Sequence, residues 1–412
     1  MRRALSFSLA ALLLALPTAA FAQRAPDLAL TPPMGWNSWN HYGCRIDQAL
    51  IEKTADALVS SGLRDAGYVY VNIDDCWQGE REGQGDIQPD PQRFPGGMKA
   101  LGDYLHQRGL KFGLYTDAGS KTCGGRPGSQ GHEFQDAAQY ARWGVDYVKV
   151  DWCNTGEGAA QRNPREAYAT VSAAIAASGR PMVLSICEWG RNQPWLWGRE
   201  YGHLWRTTGD ITNCWDCVVN HGNWFSSGVL SILDRQDALR AYAGPGGWND
   251  PDMMEVGNLP TAAENRSHFA MWAMVAAPLI IGTDVPGLRP EIRAILANPR
   301  LVAIDQDKLG IAAMKWFARP GLDIWARPLA GGRWAVALLN RGDAPKAARI
   351  DWAGTPLEDN LNNKRADFAK TSYRLTDAWT GQAAGTTAMP LERTIAPHDT
   401  LVFTLDPNSQ GS

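Results

Sequence analysis

Carboxylates recur at the ends of short apolar runs between residues 74 and 252. They are Asp74, Asp75, Asp117, Asp151, Glu188, Asp210, Asp250 and Asp252. One acid in such a position usually caps the helix that follows it. Acids at the ends of five or six consecutive runs weaken that explanation and favour one site at which several carboxylates meet.

Two basic side chains accompany these acids. Lys149 stands two residues before Asp151 in "YVKVDWCN", and Arg206 stands four residues before Asp210 in "HLWRTTGD". Like charges that converge on one site repel each other, so the site needs nearby cations. Lys149 and Arg206 are placed to supply them.

Tryptophans crowd the same run ends. They are Trp36, Trp39, Trp77, Trp152, Trp189, Trp205 and Trp248. We expect about half of them to fill the core. The others would give the site flat apolar walls, while the carboxylates accept hydrogen bonds. Such a site suits a sugar, which has C–H faces to pack on rings and hydroxyls to donate.

Metal and serine-hydrolase chemistry have less support. Acid-lined sites also bind Mg²⁺ or Mn²⁺. However, the seven histidines are scattered without an H-E-x-x-H pattern, and each carboxylate cluster contains or faces a Lys or Arg. No G-x-S-x-G sequence follows any apolar run. We therefore expect no metal and no cofactor.

The apolar runs alternate with segments of helical periodicity at 47 to 61, 97 to 108, 133 to 143, 164 to 178 and 262 to 276. The eight predicted strands are "PMGWN", "YVYVNID", "FGLYTD", "YVKVD", "MVLSI", "HLWRT", "WNDPDM" and "PLIIG". This alternation predicts an α/β fold with parallel strands and helical crossovers. Eight units favour a (β/α)8 TIM barrel, whose active sites lie at the carboxyl ends of the strands. An open doubly wound sheet is disfavoured because no Gly-rich dinucleotide turn follows the first strand.

The pattern changes after about residue 310. Alternating runs such as "LDIWARPL", "RWAVALLN", "ARIDW" and "TLVFTLD" are separated by short turns and show no helical period. This pattern predicts a C-terminal antiparallel β-sandwich. We therefore expect a catalytic barrel over residues 23–310 and a sandwich over residues 311–412.

Residues 1–22 have the composition of a signal peptide. Arg2 and Arg3 precede an apolar run, and "TAAFA" ends at Ala22 as a cleavage site. The run is too short to anchor the chain in a bilayer. We expect a secreted or periplasmic protein that leaves the membrane after signal cleavage.

Charge and cysteine content fit that expectation. The chain has 40 Lys and Arg against 43 Asp and Glu, with no basic cluster that would bind nucleic acid. It has seven cysteines, so in an oxidising compartment most should pair and one is left over. For Cys214 and Cys217 we favour a small local disulfide over a redox motif or a reduced or metal-bound pair.

Seven ordered segments between about residues 30 and 310 resemble the signatures of glycoside hydrolase family 27, the alpha-galactosidase family of clan D. They are "PPMGWNSWN", "IDDCW", "GLKFGLYTDAG", "YVKVDWCN", "SICEWG", "WRTTGDI" and "GPGGWNDPDMMEVGN". A C-terminal sandwich is also typical of that family. The resemblance implies retaining hydrolysis of terminal alpha-galactosyl residues through a covalent glycosyl-enzyme.

The resemblance also implies roles for individual residues. Asp151 matches the nucleophile and Asp210 the general acid/base. We expect Lys149 to keep Asp151 ionised, as a nucleophile must be. The substrate-binding residues implied are Trp36, Asp74, Asp75, Tyr115, Cys123, Lys149, Glu188, Arg206, Asp252 and Met253.

Within that set, the resemblance places Trp36 under the sugar ring as a wall. It places Asp74 and Asp75 on the 4- and 6-hydroxyls, and Lys149 on the 3- and 4-hydroxyls. Glu188 would hold the 2-hydroxyl together with Arg206. The remaining members would line the pocket.

By the same resemblance, Cys44 would pair with Cys76 and Cys123 with Cys153, while Cys187 would be a buried free thiol. A glutamate at position 188 favours a free 2-hydroxyl over an acetamido group. Two alternatives stay open: a beta-L-arabinopyranosidase of the same family, and a catalytically silent galactose-binding protein. Retention of both Asp151 and Asp210 argues against the second.

Overall fold

Eight short parallel strands form the barrel in the computed structural model, which describes residues 25–408. They are β1 (Met34–Asn37), β2 (Tyr70–Ile73), β3 (Lys111–Asp117), β4 (Tyr147–Asp151), β5 (Val183–Ile186), β6 (Leu204–Arg206), β7 (Trp248–Asp250) and β8 (Leu279–Ile281). Neighbours in the sheet follow the order β7-β6-β5-β4-β3-β2-β1-β8. Met254, just after β7, forms a parallel bridge with Ile281 of β8 and closes the ring. The predicted barrel is confirmed, whereas the predicted signal peptide lies outside the described residues.

Helices connect the strands and continue after the last one. They are α1 (Trp39–Tyr42), α2 (Gln48–Ser60), α3 (Gly97–His106), α4 (Glu133–Trp143), α5 (Pro164–Ala177), α6 (Val229–Leu239), α7 (Ala262–Met274), α8 (Pro290–Leu296) and α9 (Pro299–Asp305). Local signals fix their ends. Asp47 caps α2 by accepting from the Leu50 N–H, and Thr261 and Glu264 form a capping box at α7. Gly144, at φ +82°, ends α4 in a left-handed conformation.

The predicted bounds of the five helical segments agree with the structure to within two residues at each end. The strand predicted from "WNDPDM" is shorter and stops at Asp250, because Pro251 has no N–H for a ladder hydrogen bond. Two small hairpins on the barrel loops were not predicted. One pairs Gln78–Arg81 with Ile87–Pro89, and the other pairs Val218–Asn220 with Phe225–Ser227.

The C-terminal domain is the predicted antiparallel sandwich. Its strands are β9 (Met314–Arg319), β10 (Leu322–Pro328), β11 (Trp334–Asn340), β12 (Lys346–Ile350), β13 (Leu357–Asp359), β14 (Lys364–Ala366), β15 (Tyr373–Asp377), β16 (Ala383–Thr386), β17 (Leu391–Ile395) and β18 (Thr400–Pro407). Six of them form one sheet in the order β9-β10-β11-β18-β15-β16. The ribbon of β12 and β17 contributes Ile350 and Ile395 to the core on one side of that sheet.

The other side of the six-stranded sheet belongs to the barrel. Trp325, Ala337 and Leu339 join the same hydrophobic cluster as the barrel strands and α7. Their neighbours Ile324 and Leu338 point into the sandwich core instead. Alternate residues of one strand face opposite sides of a sheet, so one face of this sheet extends the core of the barrel and the other face forms the separate core of the sandwich.

A buried arginine of the sandwich forms hydrogen bonds with the barrel domain across this interface. Arg327 of β10 is fully buried, and its guanidinium donates to the backbone carbonyls of Ala273 and Asp305. Burial raises the pKa of the Asp305 carboxyl well above its usual range and lowers the pKa of Arg327 to about 10. The charge of each group opposes the pKa shift of the other. Within residues 25–408, no helix combines the length and apolar character needed to cross a membrane.

Replacing Arg327 should destabilise the whole chain. We expect Arg327→Met to lower the free energy of unfolding by about 3 kcal/mol, because it leaves two buried backbone carbonyls without their guanidinium donor. Denaturant unfolding measures the change. The matched control is Arg333→Met, whose partner Asp406 is at the partly exposed surface, and whose loss should cost under about 1 kcal/mol. Equal effects of the two substitutions would contradict the role given to Arg327.

Candidate active site

A cavity of about 440 Å³ opens at the carboxyl ends of the barrel strands. Ten of the twelve predicted catalytic and substrate-binding residues line it: Asp74, Asp75, Tyr115, Cys123, Lys149, Asp151, Arg206, Asp210, Asp252 and Met253. These residues come from the ends of five different strands or the loops that follow them. The barrel therefore assembles a site from positions that are far apart in sequence.

Asp151, the last residue of β4, is buried at the cavity floor. Its Oδ2 accepts a hydrogen bond of 2.9 Å from the Tyr115 hydroxyl, and its Oδ1 accepts from the Trp152 N–H at 3.0 Å. Burial raises the pKa of this carboxyl to about 6, with Lys149 opposing the rise and the negative charge of Asp210 adding to it. Asp151 is therefore ionised at neutral pH, with acceptor positions fixed by its neighbours.

Lys149 forms a buried ion pair beside it. Its Nζ lies 2.8 Å from Asp74 Oδ2, and the same oxygen accepts from the Asn37 amide at 2.6 Å. The ammonium also lies 5.2 Å from the centroid of the Tyr115 ring. Burial opposes the charge of Lys149, but Asp74 and Asp151 outweigh it and raise the lysine pKa well above its usual value. The site thus keeps one permanent cation next to Asp151.

Two disulfides hold the loop that carries Asp75 and the neighbouring loop that carries Cys123. Cys44 is bonded to Cys76, and Cys123 to Cys153, as the resemblance implied. Asp75 accepts from the Gly124 N–H at 2.6 Å, so it links the two stapled loops. Cys123 Sγ lies 3.4 Å from Asp151 Oδ2.

Arg206, the last residue of β6, supplies the second cation of the cavity. Its Nη2 lies 2.8 Å from Asp252 Oδ2 and 3.1 Å from Asp210 Oδ1. Arg206 and Asp252 are buried, whereas the Asp210 side chain is 40% exposed. Asp210 is thus the carboxylate of this group with direct access to water.

The arrangement contains two carboxylates in distinct surroundings, one buried beside a cation and one open to solvent. Their charges interact across the cavity, since Asp210 raises the pKa of Asp151. Glycosidases use two carboxylates in different surroundings, one as the nucleophile or base and the other as the proton donor.

Residues 31–307 match the family model described as alpha galactosidase A, and residues 320–405 match that of the alpha galactosidase C-terminal beta sandwich domain. The chain belongs to the alpha-galactosidase A family. Alpha-galactosidase A of Cellvibrio japonicus is 52% identical over 94% of this chain and 95% of its own. The structure of the Saccharomyces cerevisiae alpha-galactosidase with raffinose superposes with a TM-score of 0.86, at 30% identity over 93% of this chain and 99% of that one. A beta-L-arabinopyranosidase of the family from Geobacillus stearothermophilus, 22% identical over 93% of this chain and 98% of its own, has a TM-score of 0.76 and shows only the common fold.

The structure contradicts the expectation that Trp36 forms a wall of the cavity. Its side chain is fully buried, and its indole N–H donates to the Thr283 carbonyl at 2.9 Å. A ring with no exposed surface cannot form the wall of a cavity. Trp39, three residues later, lines the cavity in its place.

Glu188 also lies outside the cavity lining. Its side chain is fully buried, and Oε2 accepts from the backbone and side-chain N–H groups of Asn192 at 2.6 and 2.7 Å. Its Oε1 has no hydrogen-bond partner within residues 25–408. Burial raises the pKa of this carboxyl to about 7. In this structure Glu188 holds the loop after β5 and does not join Arg206 at the cavity surface.

Two further acids at strand ends support the site from behind. Asp117 accepts from the Gly119 and Cys153 N–H groups, and burial, followed by the charge of Asp151, raises its pKa to about 9. Asp250 accepts from the Asp252 N–H at 2.8 Å. These acids act as caps for loops, which is the ordinary role of a strand-terminal aspartate.

A grouping of metal-ligating side chains occurs at Asp117, Cys123 and Cys153. The two sulfurs are joined in a disulfide, so they cannot act as thiolate ligands. This grouping therefore does not fit a metal centre.

Several lining residues were not predicted. Glu255, in the quoted segment "GPGGWNDPDMMEVGN", accepts from the amides of Asn40 and Asn258, and burial raises its pKa to about 7. His221 and Trp224 reach the cavity from the second unpredicted hairpin. Glu255 could have been found from its segment, whereas nothing in the strand pattern pointed to the hairpin.

The remaining cysteines follow the predictions. Cys214 and Cys217 form the local disulfide that was favoured. Cys187 is a buried free thiol, 3.6 Å from Arg206 Nη1. Burial raises the pKa of this thiol well above its usual value, so it remains a neutral packing group.

Proposed function

We propose that this protein hydrolyses terminal alpha-D-galactosyl residues with retention of anomeric configuration. The observation that carries the proposal is the pair of carboxylates in one cavity, Asp151 buried beside Lys149 and Asp210 half exposed beside Arg206. Membership of the alpha-galactosidase A family supports the same activity.

In the first step, the Asp151 carboxylate attacks the anomeric carbon of galactose. The bond from that carbon to the leaving oxygen breaks, and Asp210 gives its proton to this oxygen. The product is a beta-galactosyl ester of Asp151 and a free alcohol. Tyr115 holds Asp151 through one oxygen, which orients the carboxylate for attack.

In the second step, Asp210 takes a proton from a water molecule, and the water oxygen attacks the same carbon. The ester bond breaks, Asp151 returns as a carboxylate, and galactose leaves in the alpha form. Asp210 is open to water in the structure, as this step requires.

Charged side chains along the cavity wall would bind the hydroxyls of galactose. Asp74 and Asp75 offer acceptors for hydroxyls, and Lys149 offers donors. Because Asp74 and Lys149 already pair with each other at 2.8 Å, they are pre-organised for a polar ligand. Groups that are already ordered lose less conformational entropy on binding, which increases the affinity for the ligand.

We also propose that the chain is exported to the periplasm or the medium. Three disulfides among residues 25–408 support an oxidising compartment. Mass spectrometry of the protein from fractionated cells should find Gln23 as the first residue in the exported fraction. Recovery of the protein in the cytosol alone, with Met1 or Arg2 as the first residue, would refute export.

Removal of the nucleophile gives the most direct test of the reaction. Asp151→Ala should reduce turnover of 4-nitrophenyl alpha-D-galactopyranoside by about 10⁴-fold or more, since no covalent intermediate can form. Azide should restore activity by attacking from the vacated side and should yield beta-galactosyl azide, the inverted product.

The matched control is Asp210→Ala. There azide should attack the covalent intermediate from the other side and yield alpha-galactosyl azide, the retained product. Exchange of these two outcomes would show that the roles are reversed. Binding of galactose by the unsubstituted protein without release of nitrophenol would instead support a silent binding protein.

The pH dependence of kcat/KM should reflect the pKa values of the buried carboxylates. The pKa of Asp151 is raised to about 6, and that of Asp252 to about 6. The carboxylate form of Asp151 is needed for attack, so the acidic limb of the kcat/KM profile should fall as the pH drops through about 6. Lys149→Gln removes a cation that lowers the Asp151 pKa, so it should move the acidic limb to higher pH. Lys149→Arg, which keeps the charge, should leave the limb in place; equal shifts would contradict an electrostatic role.

A further inference from the structure

Helix α7 carries three buried side chains that can form hydrogen bonds, Asn265, His268 and Trp272. They are spaced three and four residues apart, which places them on one side of the helix. The side of a helix that packs against a core is usually apolar. Buried polar groups need hydrogen-bond partners, and these three side chains find them in a single segment, the loop between β7 and α7.

Trp272 and His268 bind the backbone of the first half of this β7–α7 loop, residues 251–261. The indole N–H of Trp272 donates to the Asp252 carbonyl at 2.9 Å. The Nε2 of His268 accepts from the Glu255 N–H at 2.8 Å. Both contacts are made to backbone atoms, so they fix the path of the loop independently of its side chains.

Asn265 holds the second half of the loop. Its side-chain oxygen accepts from the Gly257 N–H, and its amide donates to the Leu259 carbonyl at 3.0 Å. Gly257 has φ +105°, a backbone conformation that favours glycine. Asn265 therefore binds both sides of the point at which the loop turns.

His268 holds the loop with one ring nitrogen and leaves the other unpaired. Burial lowers its pKa to about 3, so the imidazole is neutral. Because Nε2 accepts a hydrogen bond, the proton lies on Nδ1, which has no hydrogen-bond partner in the part of the chain that the structure describes. An unpaired buried donor destabilises a fold. The contact with the loop is what the imidazole provides in return.

The loop connects α7 to the candidate general acid/base. Asp252 Oδ2 accepts from the Ile211 N–H at 2.8 Å and lies 2.8 Å from Arg206 Nη2. Ile211 directly follows Asp210, and the same Arg206 nitrogen lies 3.1 Å from Asp210 Oδ1. A displacement of Asp252 would therefore disturb both the backbone and the cation that place Asp210.

Ser267 of the same helix makes contacts of another kind. It is fully buried, and its hydroxyl donates to the His398 carbonyl at 2.6 Å and lies 2.7 Å from Thr400 Oγ1. Both partners belong to the sandwich domain. These hydrogen bonds of Ser267 cross the domain interface and do not involve the β7–α7 loop.

We propose that Asn265, His268 and Trp272 are positioning residues that hold the β7–α7 loop, so that Asp252 keeps Asp210 in place as the proton donor. None of the three lines the cavity of the candidate active site. The inference rests on the proposed function, because that function makes Asp210 the group that transfers the proton.

The test compares two substrates that need the proton donor to different degrees. Melibiose has a sugar leaving group that must be protonated, whereas alpha-galactosyl fluoride expels fluoride with little assistance. His268→Leu removes the acceptor of the Glu255 N–H. It should lower kcat/KM for melibiose by about 100-fold, a loss typical of a displacement of about 1 Å. For the fluoride, the loss should be under about fivefold.

Two further variants locate the effect in the loop contacts. His268→Gln keeps an acceptor near the position of Nε2, so it should restore kcat/KM for melibiose to within about threefold of the unsubstituted protein. Trp272→Phe keeps an aromatic ring but removes the donor to the Asp252 carbonyl. It should show the same dependence on substrate as His268→Leu. Thermal unfolding midpoints above the assay temperature verify that the variants are folded.

Ser267→Ala is the matched control, because it removes hydrogen bonds of an equally buried residue on the same helix. It should lower the unfolding midpoint and leave the ratio of the two kcat/KM values unchanged. A selective loss for melibiose in Ser267→Ala would mean that any weakening of α7 disturbs the proton donor. That result would overturn the assignment to the loop contacts.

The outcomes separate the proposed function from the positioning role. If the unsubstituted protein hydrolyses neither substrate, the proposed function is wrong. If it hydrolyses both, and His268→Leu and Trp272→Phe reduce kcat/KM equally for the two substrates, only the positioning role is overturned.

Discussion

The site depends on keeping several carboxylates charged where little water reaches them. Burial alone would protonate these acids, and two buried cations prevent it. Lys149 pairs with Asp74 and favours ionised Asp151, while Arg206 pairs with Asp252 and contacts Asp210. The pKa values of about 6 for Asp151 and Asp252 are the balance of that competition. The barrel serves this balance by bringing strand ends together at one mouth.

Backbone geometry contributes as much as charge. Four residues that follow barrel strands, Cys76, Asn154, Trp189 and Asp252, have positive φ angles that non-glycine residues rarely adopt. Each lies in a loop that is held by disulfides or by hydrogen bonds that N–H groups donate to buried carboxylates. Asp252, for example, accepts from the Ile211 and Met253 N–H groups. The loops keep conformations they would not hold alone, because the neighbouring contacts determine them.

Much of this could be predicted from sequence, and the failures have physical causes. Alternating strand and helix periods predicted the barrel, and the ordered segments predicted ten residues that line the cavity. Trp36 was misplaced because the segment "GWNSWN" contains two tryptophans, and only packing decides which is buried. Glu188 was misplaced because its orientation depends on Asn192, which follows in an irregular loop. The hairpin near Asp210 was missed because its strands are three residues each, too short for periodicity to register.

The six-stranded sheet has a consequence for how this chain can change. One face of the sheet completes the barrel's core through Trp325 and its neighbours, and the other face builds its own. The barrel has no finished outer surface there, so the second domain is not an appendage that recombination could exchange. A substitution at this seam must therefore preserve the packing of both domains at once.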